Sequence, residues 1–196
     1  MKFLRKIVFC MMCLAMLPVS AHPHVWILVE VTPRLNAAGE ITALQQRWAF
    51  DPIYSAIFID EMNKTPDEQK EARWQRIEER TLTPLFAEKF YTRPKDKFGE
   101  AHSARLYEAN GELIIETELP LLRPVKFLYY QIYEPTYYVE ILHNPKQQPM
   151  PSCRLNISHA KPDSAKQEEA AALDQGAVVS YDLGQYFAEH AELLCQ

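Results

Sequence analysis

Apolar residues fall into short runs separated by turn-forming residues, and most of those runs read as strands. Val25-Trp26-Ile27-Leu28-Val29-Glu30-Val31 is rich in β-branched and aromatic residues, and Ile41 to Phe50 resumes an extended pattern. Asn36-Ala37-Ala38-Gly39 supplies turn chemistry between them, so the pattern predicts a β-hairpin. Asp51-Pro52 then sets a capping side chain before a proline at the first helical position. Thr65-Pro66-Asp67-Glu68 has the form of a capping box ahead of Glu71 to Arg80, where Trp74 and Ile77 share one face. Thr83-Pro84 is expected to end or kink that helix.

From about Phe86 the pattern predicts a return to strand. Ala101 to Glu108, Glu112 to Leu119, Val125 to Tyr133 and Thr136 to Leu142 are separated by Asn110-Gly111, Leu121 to Pro124 and Glu134-Pro135. Cys153 to Ser158 reads as a further strand and Ser164 to Gln175 as a short polar helix closed by Gly176. Asp182 is a candidate cap for a last helix, Leu183 to His190. The fold class is α+β: a mostly antiparallel sheet with helices packed on one side, in a single domain.

The first 21 residues carry a different signal. Lys2, Arg5 and Lys6 precede the apolar run Ile7 to Leu17, and Pro18-Val19-Ser20-Ala21 ends in small residues. This is the plan of a cleaved secretory signal, which makes residues 22–196 the periplasmic domain and His22 its first residue. Losing the leader leaves 18 basic against 26 acidic residues, a net charge of −8. That balance argues against nucleic acid as a partner. Cys10 and Cys13 leave with the leader, and Cys153 with Cys195 then most simply forms one disulfide.

His22-Pro23-His24 is the sharpest chemical feature. In an extended segment, side chains two apart lie on one face, with Cβ atoms roughly 6.5 Å apart along the strand. Two imidazoles close on one ion across that gap, with bonds of about 2.0–2.1 Å to zinc. Proline favours the extended geometry, and cleavage would add the α-amine of His22 as a further nitrogen donor. Pro23 has no amide proton to lose, which disfavours a square-planar amino-terminal copper or nickel site. Asp51 is a candidate third ligand, because the hairpin returns its strand end toward the chain start; its alternative role is the helix cap. His143, at a strand end, is the best placed of the four remaining histidines, the others being His102, His159 and His190. Asp60, Glu61 and Glu134 are weaker carboxylate candidates. The tyrosine-rich stretch from Tyr129 to Tyr138 reads either as strand formers packed between sheet and helices or as an aromatic platform.

Several of these landmarks together resemble a known family. They are the leader ending at Ala21, His22-Pro23-His24-Val25, Trp48-Ala49-Phe50-Asp51, Tyr133-Glu134-Pro135-Thr136-Tyr137-Tyr138, and Asp182-Leu183-Gly184 with Cys195. The chain is similar to ZevA-like periplasmic components of ABC-type transport, which are commonly paired with nickel/cobalt-type membrane permeases and linked to zinc uptake. Many relatives carry an aspartate- and glycine-rich, calcium-loop-like run that Asn63 to Glu71 lacks, and Glu134 stands where relatives often have aspartate. The resemblance implies a binding protein rather than an enzyme: one that captures zinc, or nickel or cobalt, and works with an inner-membrane permease. Two other readings remain at this stage. One is a copper enzyme with a histidine brace, which needs another histidine facing His22. The other is a non-metal accessory subunit of a transporter.

Overall fold

The computed structural model describes residues 23–173, 179 and 181–196. The expected leader, His22 and Gly176 lie outside the described residues. The predicted hairpin forms, with β1 (Val25–Leu35) antiparallel to β2 (Ile41–Phe50). Side chains alternate along β1, so Val25, Ile27, Val29 and Val31 are buried while Trp26 and Leu28 face outward. The Asn36 side-chain oxygen closes the turn by accepting from the amides of Ala38 and Glu40, and Gly39 takes a φ of 74° that L-residues rarely adopt.

Helices α1 (Pro52–Lys64) and α2 (Asp67–Ala87) follow, then β3 (Thr92–Arg93), β4 (Ser103–Ala109), β5 (Glu112–Val125), β6 (Phe127–Ile132), β7 (Val139–His143) and β8 (Cys153–Ser158). Helix α3 (Ser164–Ala172) and β9 (His190–Cys195) complete the order. The strands form two sheets where the sequence suggested one. A five-stranded sheet runs β4-β5-β2-β1-β7, and a four-stranded sheet runs β3-β6-β9-β8. All pairings are antiparallel except β1 with β7. One core joins both sheets: Val29, Trp48, Leu113 and Ile115 of the first meet Leu128, Tyr130, Ala191 and Leu193 of the second. Leu82 and Leu85 of α2 close it, with Tyr54, Phe58, Trp74 and Ile77 packed against its edge.

Three local expectations need correction. Thr65 does not cap α2, because its N–H and hydroxyl bond to the Met62 and Glu61 carbonyls and finish α1 instead. Pro84 does not end α2, whose burial of Leu82 and Leu85 carries it on to Ala87. The chain then turns left-handed over Lys89, Phe90 and Tyr91, at φ 50°, 48° and 53°. Each such residue costs about 1–2 kcal/mol, offset here by the complete burial of Phe90 against Trp48 and Phe86. Finally, Leu183 to His190 is not an α-helix. A single 3-10 turn, Leu183–Tyr186, leads into β9, whose inward residues Ala191, Leu193 and Cys195 fill the core between β6 and β8.

Cys153 and Cys195 face one another across β8 and β9 as a disulfide, with Cα atoms 4.1 Å apart. The bond closes a sequence separation of 42 residues, for which loop-closure entropy is worth about 4 kcal/mol. Cys153→Ser should therefore lower unfolding free energy by roughly that amount in chemical denaturation. Adding a reductant to the wild type should give the same loss and leave the variant unaffected.

Candidate functional site

The landmark segments converge at one end of the five-stranded sheet. The β1–β7 ladder pairs Val25 with Val139, and one residue further out the His24 amide donates to the Tyr138 carbonyl at 2.9 Å. The His24 and Tyr138 rings lie against each other, with centroids 4.7 Å apart at a tilt of 37°. On the other side of β1, Asp51 joins this end through Trp26. The Asp51 amide donates to the Trp26 carbonyl at 2.9 Å, and the Trp26 amide donates to Asp51 Oδ2 at 3.1 Å. The other carboxylate oxygen, Oδ1, accepts from the Ile53 and Tyr54 amides, both at 2.9 Å. Asp51 is thus the helix cap, with both oxygens engaged by backbone donors, although the hairpin does bring it beside the chain start. Burial, with Tyr138 and Asp51 close by, pushes the Tyr54 phenol above its ordinary value.

The Tyr133–Tyr138 segment is held from within. Glu134 is buried, and its carboxylate accepts from the Thr136 amide and hydroxyl and from the Tyr138 amide, the last at 2.8 Å. Tyr137 takes a φ of 61°, stacks on Phe187 at 3.9 Å and donates its hydroxyl to Glu140. Asp182-Leu183-Gly184 docks on this segment: Tyr133 donates its hydroxyl to Asp182, and the Gly184 amide donates to the Pro135 carbonyl at 2.9 Å. A Cβ on Gly184 would come within 2.0 Å of the Glu134 carbonyl oxygen, so only glycine permits this approach. Two landmarks some fifty residues apart are therefore one packed unit. Tyr130 is in the core and Tyr137 and Tyr138 have separate partners, while Tyr129 and Tyr133 line one pocket with Tyr91.

His143 is not brought to His24. It pairs with Val29, five residues along the ladder from His24, roughly 16 Å at the usual strand rise. Both its ring nitrogens have protein partners: Nδ1 lies 2.9 Å from Glu189 Oε2, and Nε2 lies 3.1 Å from the Tyr130 hydroxyl. Glu189, only 3% exposed, also accepts from the His143 amide at 2.6 Å and meets His159 Nδ1 at 2.7 Å. His190 contacts Tyr129, and His102 sits on β4's edge with its amide on the Glu118 carbonyl. Among the described residues, then, His24 has no second histidine beside it on its ladder. Asp60 and Glu61 are engaged with Lys64 and Arg73 on the helices. No group of three or more histidine, cysteine, aspartate or glutamate side chains among the described residues is arranged to hold a metal ion.

The Glu189 cluster went unnoticed in the sequence, and it joins β7 of one sheet to β9 of the other. Burial raises the Glu189 carboxyl, but hydrogen bonds from the His143 ring and amide, with the charges of His143 and His159, outweigh it and hold the group below its ordinary value. A depressed carboxyl stabilises the fold above its unfolded value of about 4.5 and loses that contribution as pH falls through the folded value. Wild type should accordingly lose stability as pH falls below about 4.5, and Glu189→Gln should reduce that acid dependence. The same variant should cost about 3 kcal/mol at pH 7, since it breaks a buried charged network, as chemical denaturation at both pH values would register.

Among the described residues no helix is long and apolar enough to cross a membrane. The disulfide is compatible with an extracytoplasmic location. No curated protein and no solved structure matches the chain. Residues 7–195 match a family described as a protein of unknown function, DUF1007. That match takes in nearly the whole sequence, and the chain belongs to the DUF1007 family.

Proposed function

We propose that this chain is a periplasmic metal-binding protein, which captures zinc, or nickel or cobalt, and passes it to an inner-membrane permease of the ABC-type transport class. The observation that carries the reading is the placement of His24. Its backbone is fixed by the parallel ladder and its ring rests on Tyr138, at the sheet end where the landmark segments meet. With Asp51 and His143 committed elsewhere, His24 and His22, with the α-amine of His22 after cleavage, are the donors on which capture depends. Such a set leaves coordination positions of the ion open, which suits a cargo that must be handed on. Imidazole donors accept copper as well, so metal choice follows supply and geometry.

The elements that meet near this end carry exposed apolar side chains: Trp26 and Leu28 on β1, Ile53 and Ile57 on α1. They favour a second reading, an accessory subunit that docks on the permease without binding metal. In that case zinc leaves the melting temperature unchanged, while Trp26→Asp and Ile57→Asp abolish co-purification with the permease.

Calorimetric titration of zinc chloride into protein that begins at His22 tests the first reading. Binding should weaken at least tenfold in His24→Ala and be lost in His22→Ala/His24→Ala, whereas Asp51→Asn, which keeps the capping oxygen, should change affinity less than twofold. Equal affinity in the wild type and the double variant would remove the site.

A further inference from the structure

We propose that the free edge of β8 is a docking site for an extended, acidic peptide segment of a partner protein, which joins the four-stranded sheet as a further strand. No residue of the His24 end takes part, so the site stands whether or not the protein binds metal.

The other outer edges are closed by the protein itself. Along β4 the Glu78 side chain of α2 accepts from the Leu106 amide at 2.9 Å, and along β7 Glu189 accepts from the His143 amide at 2.6 Å. Strand β3 is only two residues long. Strand β8 is different. Its ladder with β9 continues at the Gln196 amide, which donates to the Ser152 carbonyl at 3.1 Å. Antiparallel bonding alternates residue by residue, so Arg154, Asn156 and Ser158 exchange bonds with β9, and the peptide groups of Leu155 and Ile157 point to the open side. Neither finds a partner there among the described residues. Unused edges are ordinarily shielded by proline, by a bulge or by an inward charge. β8 contains no proline, and its inward residues Cys153, Leu155 and Ile157 are uncharged and packed on the core.

A groove of about 450 Å³ runs beside this edge. Leu155 and Ile157 line it from the inner face of β8, Arg154 from the outer face, and Pro145, Gln148 and Met150 from the loop after β7. A strand added to β8 would send alternate side chains toward Leu155, Ile157 and Met150 while its backbone bonds the edge, the mode in which main-chain bonds supply affinity and side-chain pockets supply specificity. Charge selects the peptide. The chain carries 26 acidic residues, yet none lies between Ile141 and Pro162, the stretch that forms both walls. That stretch holds Lys146, Arg154 and Lys161, all exposed and without a salt bridge among the described residues. An open strand edge inside unpaired basic surface, on an otherwise acidic protein, fits a segment that alternates acidic with apolar residues. A second copy of this chain fits less well, because pairing β8 with itself would bring two basic edges together.

Fluorescence polarisation of the folded, disulfide-bonded protein with a labelled peptide alternating valine and glutamate tests the site, and amide NMR reads the edge. The peptide should bind, and the Leu155 and Ile157 amides should shift and exchange more slowly while those of Asn156 and Ser158 stay in place. Lys146→Glu/Arg154→Glu, at two exposed positions that leave the fold intact, should weaken binding about tenfold or more. Of two peptides N-methylated on alternate residues, the one whose methyl groups face β8 should lose binding. Unmoved Leu155 and Ile157 amides at about 1 mM peptide, where even weak contacts register, would overturn the proposal. Equal binding of a valine–lysine peptide, or full affinity in both methylated peptides, would do the same. A dimer whose Leu155 and Ile157 amides are already protected without peptide would assign the edge to a second copy and overturn it equally.

Discussion

The parallel pairing of β1 with β7 is the constraint on which the candidate site depends. Parallel neighbours cannot be joined by a tight turn; the chain must travel out and return in the same direction. Between Leu35 and Val139 it builds α1, α2 and the five strands β2 to β6 before coming back beside its own start. Only then does Tyr138 meet His24. The site is thus a product of the whole fold rather than of the His-Pro-His segment, which by itself specifies no more than an extended backbone with two imidazoles.

The ladder also explains why the sheet end gathers so many landmarks. Asp51 ends β2 on one side of β1 and Tyr138 opens β7 on the other, so β1 is gripped at the same level from both flanks. Asp51 does this with a side chain that also caps α1, tying strand and helix through one carboxylate. Glu134 does the equivalent across the way, with a buried carboxylate spent on its own segment. Both acids, candidate ligands by sequence, hold the backbone on either flank of His24.

Much of this was legible from residue pattern. The hairpin, the Asp51-Pro52 helix start and the Cys153 to Ser158 strand follow from local chemistry that the tertiary fold does not oppose. What failed had a tertiary cause. Thr65 carries the right side chain for a cap, but with only Thr65 and Pro66 between the two helices it serves α1. The left-handed turn at Lys89–Tyr91 has no glycine or asparagine to announce it and exists because Phe90 is drawn into the core. The strand at His190–Cys195 is the instructive miss. Glu189, Ala191, Leu193 and Cys195 are all buried, a period of two that was visible, and it places the glutamate on the inward face. Helix-forming residue types around Asp182 obscured that alternation. The alternation alone marks Glu189 as buried; its pairing with His143 and His159 depends on the tertiary fold.

The order β6-β9-β8 carries a consequence for how the molecule is assembled. The strand that lies between two others is the later of the three along the chain, so β6 and β8 cannot satisfy each other and must wait. Until residues 190–195 arrive, each displays a row of bare peptide groups beside exposed apolar surface, the arrangement most prone to sticking to other chains. A chain delivered slowly, or cut short before residue 190, would linger in that adhesive form. The protein's vulnerability in the cell therefore lies less in its finished fold than in the interval before its keystone strand is in place.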